Sequence, residues 1–291
     1  TNALNLAINN VVLMSNDVNK LGSGLTFVKN NANITLGNNL NKATGLLSIN
    51  GGNLINTGTI TVDGTNSQGI SIFGTGSGLT EASGTSSGTI LVNGTNSVGV
   101  YNNGTFTMTS GTVEANGDQS VGVFSEAGNN KTNLNGGLIK SSNNGIGVFT
   151  GDNSTINING TSLEANDKGL LMYTYKDTTT TASTGHINIT GTASATINAG
   201  GTAFYLKGDP SDITSFINNT FTGTGVLNLN MAGADSRLFI LDDPSNPITL
   251  SSATGTAVSS LIPASKVNII GTDYKPYAVF KGELIVDQNV D

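Results

Sequence analysis

The acidic residues of the C-terminal third are the first candidates for chemistry. Asp235, Asp242 and Asp243 lie close together in sequence, with Arg237, the chain's sole arginine, among them. Paired carboxylates at a suitable separation cleave glycosidic bonds, one supplying a proton while the other attacks or activates water. Asp242-Asp-Pro-Ser-Asn-Pro247 is equally strong turn chemistry, and a structural corner is the favoured reading. His186 is the single histidine and cysteine is absent. A zinc site would therefore need three carboxylates besides the imidazole. His186 reads as a solvated loop residue beside a run of threonines. Gly74-Thr-Gly-Ser-Gly78 has the glycines of a phosphate loop but neither its Lys-Ser/Thr ending nor a following helix. No catalytic residue, metal ligand or cofactor is expected.

The residues better suited to contact a partner sit where the chain departs from its own regularity. Residues 74–87, 174–186 and 207–217 read as insertions, and insertions into a repeating chain form surface loops that often carry the binding face. Tyr175, Lys176 and Asp177 fall in the second, and Lys207, Asp209 and Asp212 in the third. Tyr274 and Tyr277 flank Lys275-Pro276 and complete the candidate contact set.

These departures are defined against a repeat. Gly69-Ile-Ser-Ile-Phe73, Val98-Gly-Val-Tyr101, Val121-Gly-Val-Phe124, Ile146-Gly-Val-Phe149, Leu170-Leu-Met-Tyr173 and Thr202-Ala-Phe-Tyr205 each end on an aromatic residue, at steps of 28, 23, 25, 24 and 32. The clearest copies begin Gly58-Thr-Ile-Thr-Val, Gly88-Thr-Ile-Leu-Val and Gly111-Thr-Val-Glu-Ala. Each then runs through Asp63-Gly64, Asn93-Gly94 or Asn116-Gly117 into the aromatic-ending segment. Alternation of aliphatic residues with Thr, Ser and Asn marks strands with one buried face. The Asx-Gly pairs are expected to take the positive φ of a tight corner.

Asx-Gly between strands also signals a hairpin, but a propeller blade needs about 40–50 residues. A unit of about 24 residues fits two or three short strands, one coil of a solenoid. The expected fold is therefore all-β, a right-handed parallel β-helix of about 24 residues per coil and about 12 coils. Ile60, Ile90 and Val113 should stack inside it, and the repeat-end aromatics should stack internally as well. Residues 1–291 read as one segment, with an irregular start at 1–45, regular repeats at 46–206 and looser coils at 207–291. All five prolines lie beyond residue 209, which requires more loops there because proline cannot donate to a strand ladder.

Composition narrows the function classes. Gly makes up 39 of 291 residues and charged residues 11%, while 36% are hydrophobic, too many for ordinary disorder. A net charge of −7 with scattered lysines argues against nucleic acid and anionic membranes. No stretch is apolar enough to span a bilayer, so no direct membrane insertion is expected. Thr1 in place of an initiator Met, and a stop in mid-pattern at Asp291, read as a segment cut from a longer chain.

At Asn56-Thr-Gly-Thr-Ile-Thr-Val-Asp-Gly64, Asn93-Gly-Thr-Asn-Ser-Val-Gly-Val-Tyr101 and Asp118-Gln-Ser-Val-Gly-Val-Phe124 the chain resembles the passenger region of type V autotransporter adhesins of Gram-negative bacteria, in particular the large Gly/Asn/Thr-rich passengers of oral anaerobes. The likeness covers roughly residues 45–206. It implies export across the outer membrane to the bacterial cell surface and a β-helical, non-enzymatic, monomeric rod. It also implies attachment to a protein or glycan receptor on host cells or other bacteria. The alternatives are a polysaccharide-acting β-helix enzyme and a purely structural stalk.

Overall fold

A computed structural model describes residues 12–17, 27–74, 80–128, 130–174, 185–207, 213–242, 248–250, 262–279 and 284–286. Strands run in three parallel sheets of ten, eight and nine strands, and successive strands along the chain move from one sheet to the next. Each strand therefore pairs with its counterpart one coil away, as in Thr59–Val62 against Thr89–Val92 and Thr89–Val92 against Thr112–Ala115. Every pairing among the described strands is parallel, and a two-stranded sheet joins Ile248–Leu250 to Leu284–Val286. This is a parallel β-helix, and the hairpin reading of the Asx-Gly pairs does not apply.

Its core is a set of columns. In the nine-stranded sheet Ile34, Ile60, Ile90, Val113, Ile139 and Leu163 stand in register, and all but Ile34 are buried. The neighbouring column of the eight-stranded sheet begins polar. Asn30 Nδ2 donates to Asn56 Oδ1 at 2.9 Å and Asn56 Nδ2 to Ser86 Oγ at 3.2 Å, after which Met108, Leu134, Ile158 and Ile189 continue it. Amide ladders of this kind satisfy buried polar groups between coils, which an aliphatic column does by having none.

The repeat consensus acquires a reason at each position. At the corner after the nine-stranded sheet, Asn93 and Gly94 both donate N–H to Val62 O, and Asn116 and Gly117 both donate to Val92 O. A Cβ on Gly94 would lie 2.0 Å from the carbonyl oxygen of Gly64 in the adjacent coil. Glycine is there for close coil approach, not for conformational freedom. The positive φ falls instead on Asn66, Asn96 and Gln119, three residues past the expected Asx. Ser67 and Ser97 then turn inward, and the Ser97 hydroxyl accepts from Ser67 N–H at 3.0 Å and donates to Gly64 O at 2.7 Å. Outside, Asn93 Nδ2 donates to Asp63 Oδ1, and Asn116 Oδ1 accepts from Ser142.

Four expectations are corrected. Among the described residues the main sheet holds ten strands and spans roughly 43 Å at the usual strand spacing, where about 12 coils were expected. The shortfall follows from uneven coils: 23 residues separate the register partners Val98 and Val121, whereas 38 separate Arg237 and Lys275. Residues 83–86 are a regular rung of the eight-stranded sheet, so only the earlier part of 74–87 is extra. A helix at Ile213–Thr220 breaks the all-strand pattern inside the third insertion and buries Ile217. His186 opens a strand, in register with Thr155, and its Nδ1 lies 2.8 Å from the carbonyl of Asn219, tying that helix to the rod. Lys275–Val279 carries Pro276 and is the last strand of its sheet, an edge where a missing N–H is tolerated.

Candidate functional site

The ten-stranded sheet differs from its neighbours on its outer face. The outward residues of the other two sheets are mainly Thr, Asn, Ser, Glu and Lys, as in Thr105/Thr107, Thr155/Asn157 and Ser162/Glu164. In the ten-stranded sheet Tyr101, Phe124, Phe149, Tyr173 and Tyr205 occupy one register position. All five are half-buried rather than internal. Phe73 sits two residues out of register, opposite Asn103, yet its ring lies 5.2 Å from that of Tyr101.

The rings form a ladder. Centroids from Tyr101 to Tyr205 are 5.4, 4.6, 4.6 and 4.8 Å apart, with interplanar angles of 7° to 20°. Strand spacing enforces this stacking, because in-register side chains repeat at about 4.8 Å, and offset-stacked pairs add about 0.5–1.5 kcal/mol each beyond area burial. The ring faces are turned toward one another, so solvent meets a ridge of edges. Within the ladder no ring face is left open for a sugar to stack on.

Two ladder tyrosines are fixed by acids placed by the same rule. Tyr101 donates its hydroxyl to Glu126 Oε2, two residues past its register partner Phe124. Tyr205 donates to Asp242 Oδ2 at 2.5 Å, two residues past its partner Ile240. Burial, then the hydrogen bond to the carboxylate and its negative charge, raise both phenols well above the ordinary value of 10.0. A raised acid contributes stability that is fully present below the unfolded pKa and declines as pH rises beyond it. The rod should therefore lose stability progressively above pH 10.0, and ultraviolet titration should find two tyrosines ionising after the rest. Glu126→Gln and Asp242→Asn should bring those two titrations down; unchanged curves would refute the pairing.

Several lengthened coils depart from strands of this sheet. The strands Gln68–Phe73, Leu170–Thr174, Thr202–Lys207 and Arg237–Asp242 all belong to this sheet, and residues 75–79, 175–184, 208–212 and 243–247 follow their C-terminal ends. Parallel pairing puts those ends side by side. Tyr175, Lys176, Asp177, Asp209 and Asp212 lie outside the described residues. Lys207 ends its strand opposite Asp242. Tyr277 takes the register position of Phe239, and Tyr274 is half-buried against the core away from that corner.

The acidic cluster does not assemble. Asp235 is bound by Lys275 at 2.8 Å, and that ammonium holds its carboxyl below the usual carboxylate range. Asp242 lies at the far end of Arg237–Asp242, occupied by Tyr205, and Asp243 is outside the described residues. Among the described residues no group of three or more His, Asp or Glu is placed to hold a metal ion.

The stacking of these aromatics is as expected, but the sequence reading placed the stack inside the rod because strand alternation breaks beside it. Gly99 and Val100 both face inward, so counting by twos from Val100 assigns the wrong parity to what precedes it. The glycine inside each Val-Gly-Val-aromatic segment was the available signal. Comparison of the chain with protein-family models, with curated proteins and with solved structures finds no match in any of the three.

Proposed function

We propose that this chain is a rod segment of an adhesin exported to the bacterial cell surface. It attaches to a protein or glycan receptor on host cells or other bacteria, without enzymatic activity. The observation that carries this reading is the half-buried aromatic ladder on the outer face of the ten-stranded sheet, which sets that face apart from the polar outer faces of the other two. Insertions into the coils of a solenoid often carry its binding face, and the strands Leu170–Thr174 and Thr202–Lys207 that precede the 174–186 and 207–217 insertions belong to the ladder's sheet. The remaining surface is largely spent on coil-to-coil bonding, as in Asn133, Asn157 and Asn188, whose amides bond in series at 2.9 and 2.7 Å. The textures behind the reading of export are the acidic, cysteine-free composition and the resemblance at residues 45–206.

Alanine replacement of Tyr175, Lys176 and Asp177, and separately of Asp209 and Asp212, tests the proposal. Adhesion to cells or to immobilised bacteria should fall while the melting temperature stays within a degree or two of wild type, since surface changes usually cost under about 0.5 kcal/mol. Undiminished adhesion in both variants would leave the segment as a spacer.

A further inference from the structure

The chain contains seven Asn-Gly pairs, at Asn50, Asn93, Asn103, Asn116, Asn135, Asn144 and Asn159. Asn-Gly is the dipeptide most open to intramolecular attack, because no side chain on the following residue hinders its backbone nitrogen. The fold divides the seven into two groups.

In five of them the attacking nitrogen is engaged. Gly51, Gly94, Gly104, Gly117 and Gly145 donate their N–H to Thr80 O, Val62 O, Asn102 Oδ1, Val92 O and Ser142 O, at 2.8 to 3.1 Å. Most of the asparagine amides are held too: Asn50 Nδ2 by Asp17, Asn93 by Asp63, Asn116 by Asn93 and Asn144 by Asp118. In the other two, at Asn135 and Asn159, the glycine N–H has no hydrogen-bond partner among the described residues, and neither does the asparagine side chain. Both asparagines are exposed. They occupy the same corner in successive coils, one residue past the register pair Leu134 and Ile158.

We infer that Asn135 and Asn159 are sites of spontaneous deamidation on the folded rod, and that the hydrogen bonds made by the glycine N–H shield the other five. The Gly136 or Gly160 nitrogen loses its proton and attacks the asparagine Cγ. A carbon–nitrogen bond forms, the Cγ–Nδ2 bond breaks, and Nδ2 leaves as ammonia with the protons it collects. The resulting five-membered imide then takes up one water across either carbonyl–nitrogen bond, which yields aspartate or isoaspartate. No oxidant, metal or enzyme enters the balance. Protection of the shielded group is a matter of local opening, because a glycine N–H committed to a hydrogen bond reacts only when that bond is broken.

Each event adds one negative charge to a chain of formal net charge −7. The two products would stand on adjacent coils about 4.8 Å apart, where like charges repel. An isoaspartate also lengthens the main chain by one carbon, but at a corner just outside the strands Lys131–Leu134 and Thr155–Ile158. The modification therefore changes surface charge at one corner while leaving the ladders paired.

The test is an ageing experiment on the intact folded chain in mildly alkaline buffer at body temperature. Peptide mapping with fragmentation follows all seven sites, and a parallel sample in denaturant supplies the unshielded rates. Asn135 and Asn159 should convert at rates close to those of the unfolded chain, and the other five at least about tenfold more slowly than in denaturant. Ion exchange should resolve acidic species that Asn135→Gln and Asn159→Gln together abolish. Equal slowing at all seven sites, or conversion of Asn93 or Asn116 as fast as Asn159, would overturn the inference.

Discussion

Gly111→Val is expected to destabilise the rod by about 3–5 kcal/mol, enough to prevent folding in a marginal segment. Two independent penalties meet at this corner. Gly111 has φ of +82°, where a β-branched residue is a genuine outlier. A Cβ there would also lie 2.0 Å from the carbonyl oxygen of Gly88 in the adjacent coil. That oxygen accepts the N–H of Thr112, so it cannot withdraw without breaking the ladder it serves. The same close approach recurs one coil away on each side, where a Cβ on Gly88 would meet Gly58 O at 2.0 Å and one on Gly137 would meet Gly111 O at 2.5 Å. In a solenoid each coil contacts only its neighbours, so a break in the middle separates two half-rods instead of costing one local contact. Thermal and denaturant melts of Gly111→Val against wild type decide the matter. A loss below about 1 kcal/mol would mean that the coils are freer to separate than the parallel ladder requires.

Phe106→Ala should cost about 3–5 kcal/mol, through a cavity rather than a clash. Phe106 is fully buried in the strand Thr105–Met108, and its register neighbours are Gly84 on one side and Thr132 on the other. The column is uneven by design of volume. Gly84 leaves space that Ile72 fills, since a Cβ on Gly84 would lie 2.7 Å from the Ile72 Cδ1. The large Phe106 ring then occupies the coil above a glycine. Cutting it to a methyl leaves a void that neither neighbour can close, because both are small. Phe106→Leu should recover most of the loss, whereas Gly84→Ala should add to it. A Phe106→Ala melt within about 1 kcal/mol of wild type would show that the interior relaxes far more than close-packed cores do.

How much of this was readable beforehand depends on which interactions were local. The parity of Ile60/Val62, Ile90/Val92 and Val113/Ala115 identified the nine-stranded sheet and its inner column, because every second residue along those strands is buried. The recurrence of Glu114-Ala-Asn116 at Glu164-Ala-Asn166 correctly marked two coils, with Lys140 between the glutamates in register and 4.0 Å from Glu164. The aromatic residues were seen as a set but assigned to the interior. Burial of both Gly99 and Val100 shifts the face on which Tyr101 stands, and a shift of one residue turns any side chain from core to solvent. The helix at Ile213–Thr220 was missed because a single short helix has too few turns to show a period against irregular flanks.

The chain by itself determined that short strands must stack as coils, since alternating aliphatics at a near-constant interval have no other way to bury a continuous face. Tertiary structure alone decided which residues of different coils meet. The pairing of Tyr205 with Asp242 and the burial of Gly94 beneath a carbonyl both join positions 30 or more residues apart. Coils of unequal length make those separations irregular, so no spacing written in the sequence encodes them.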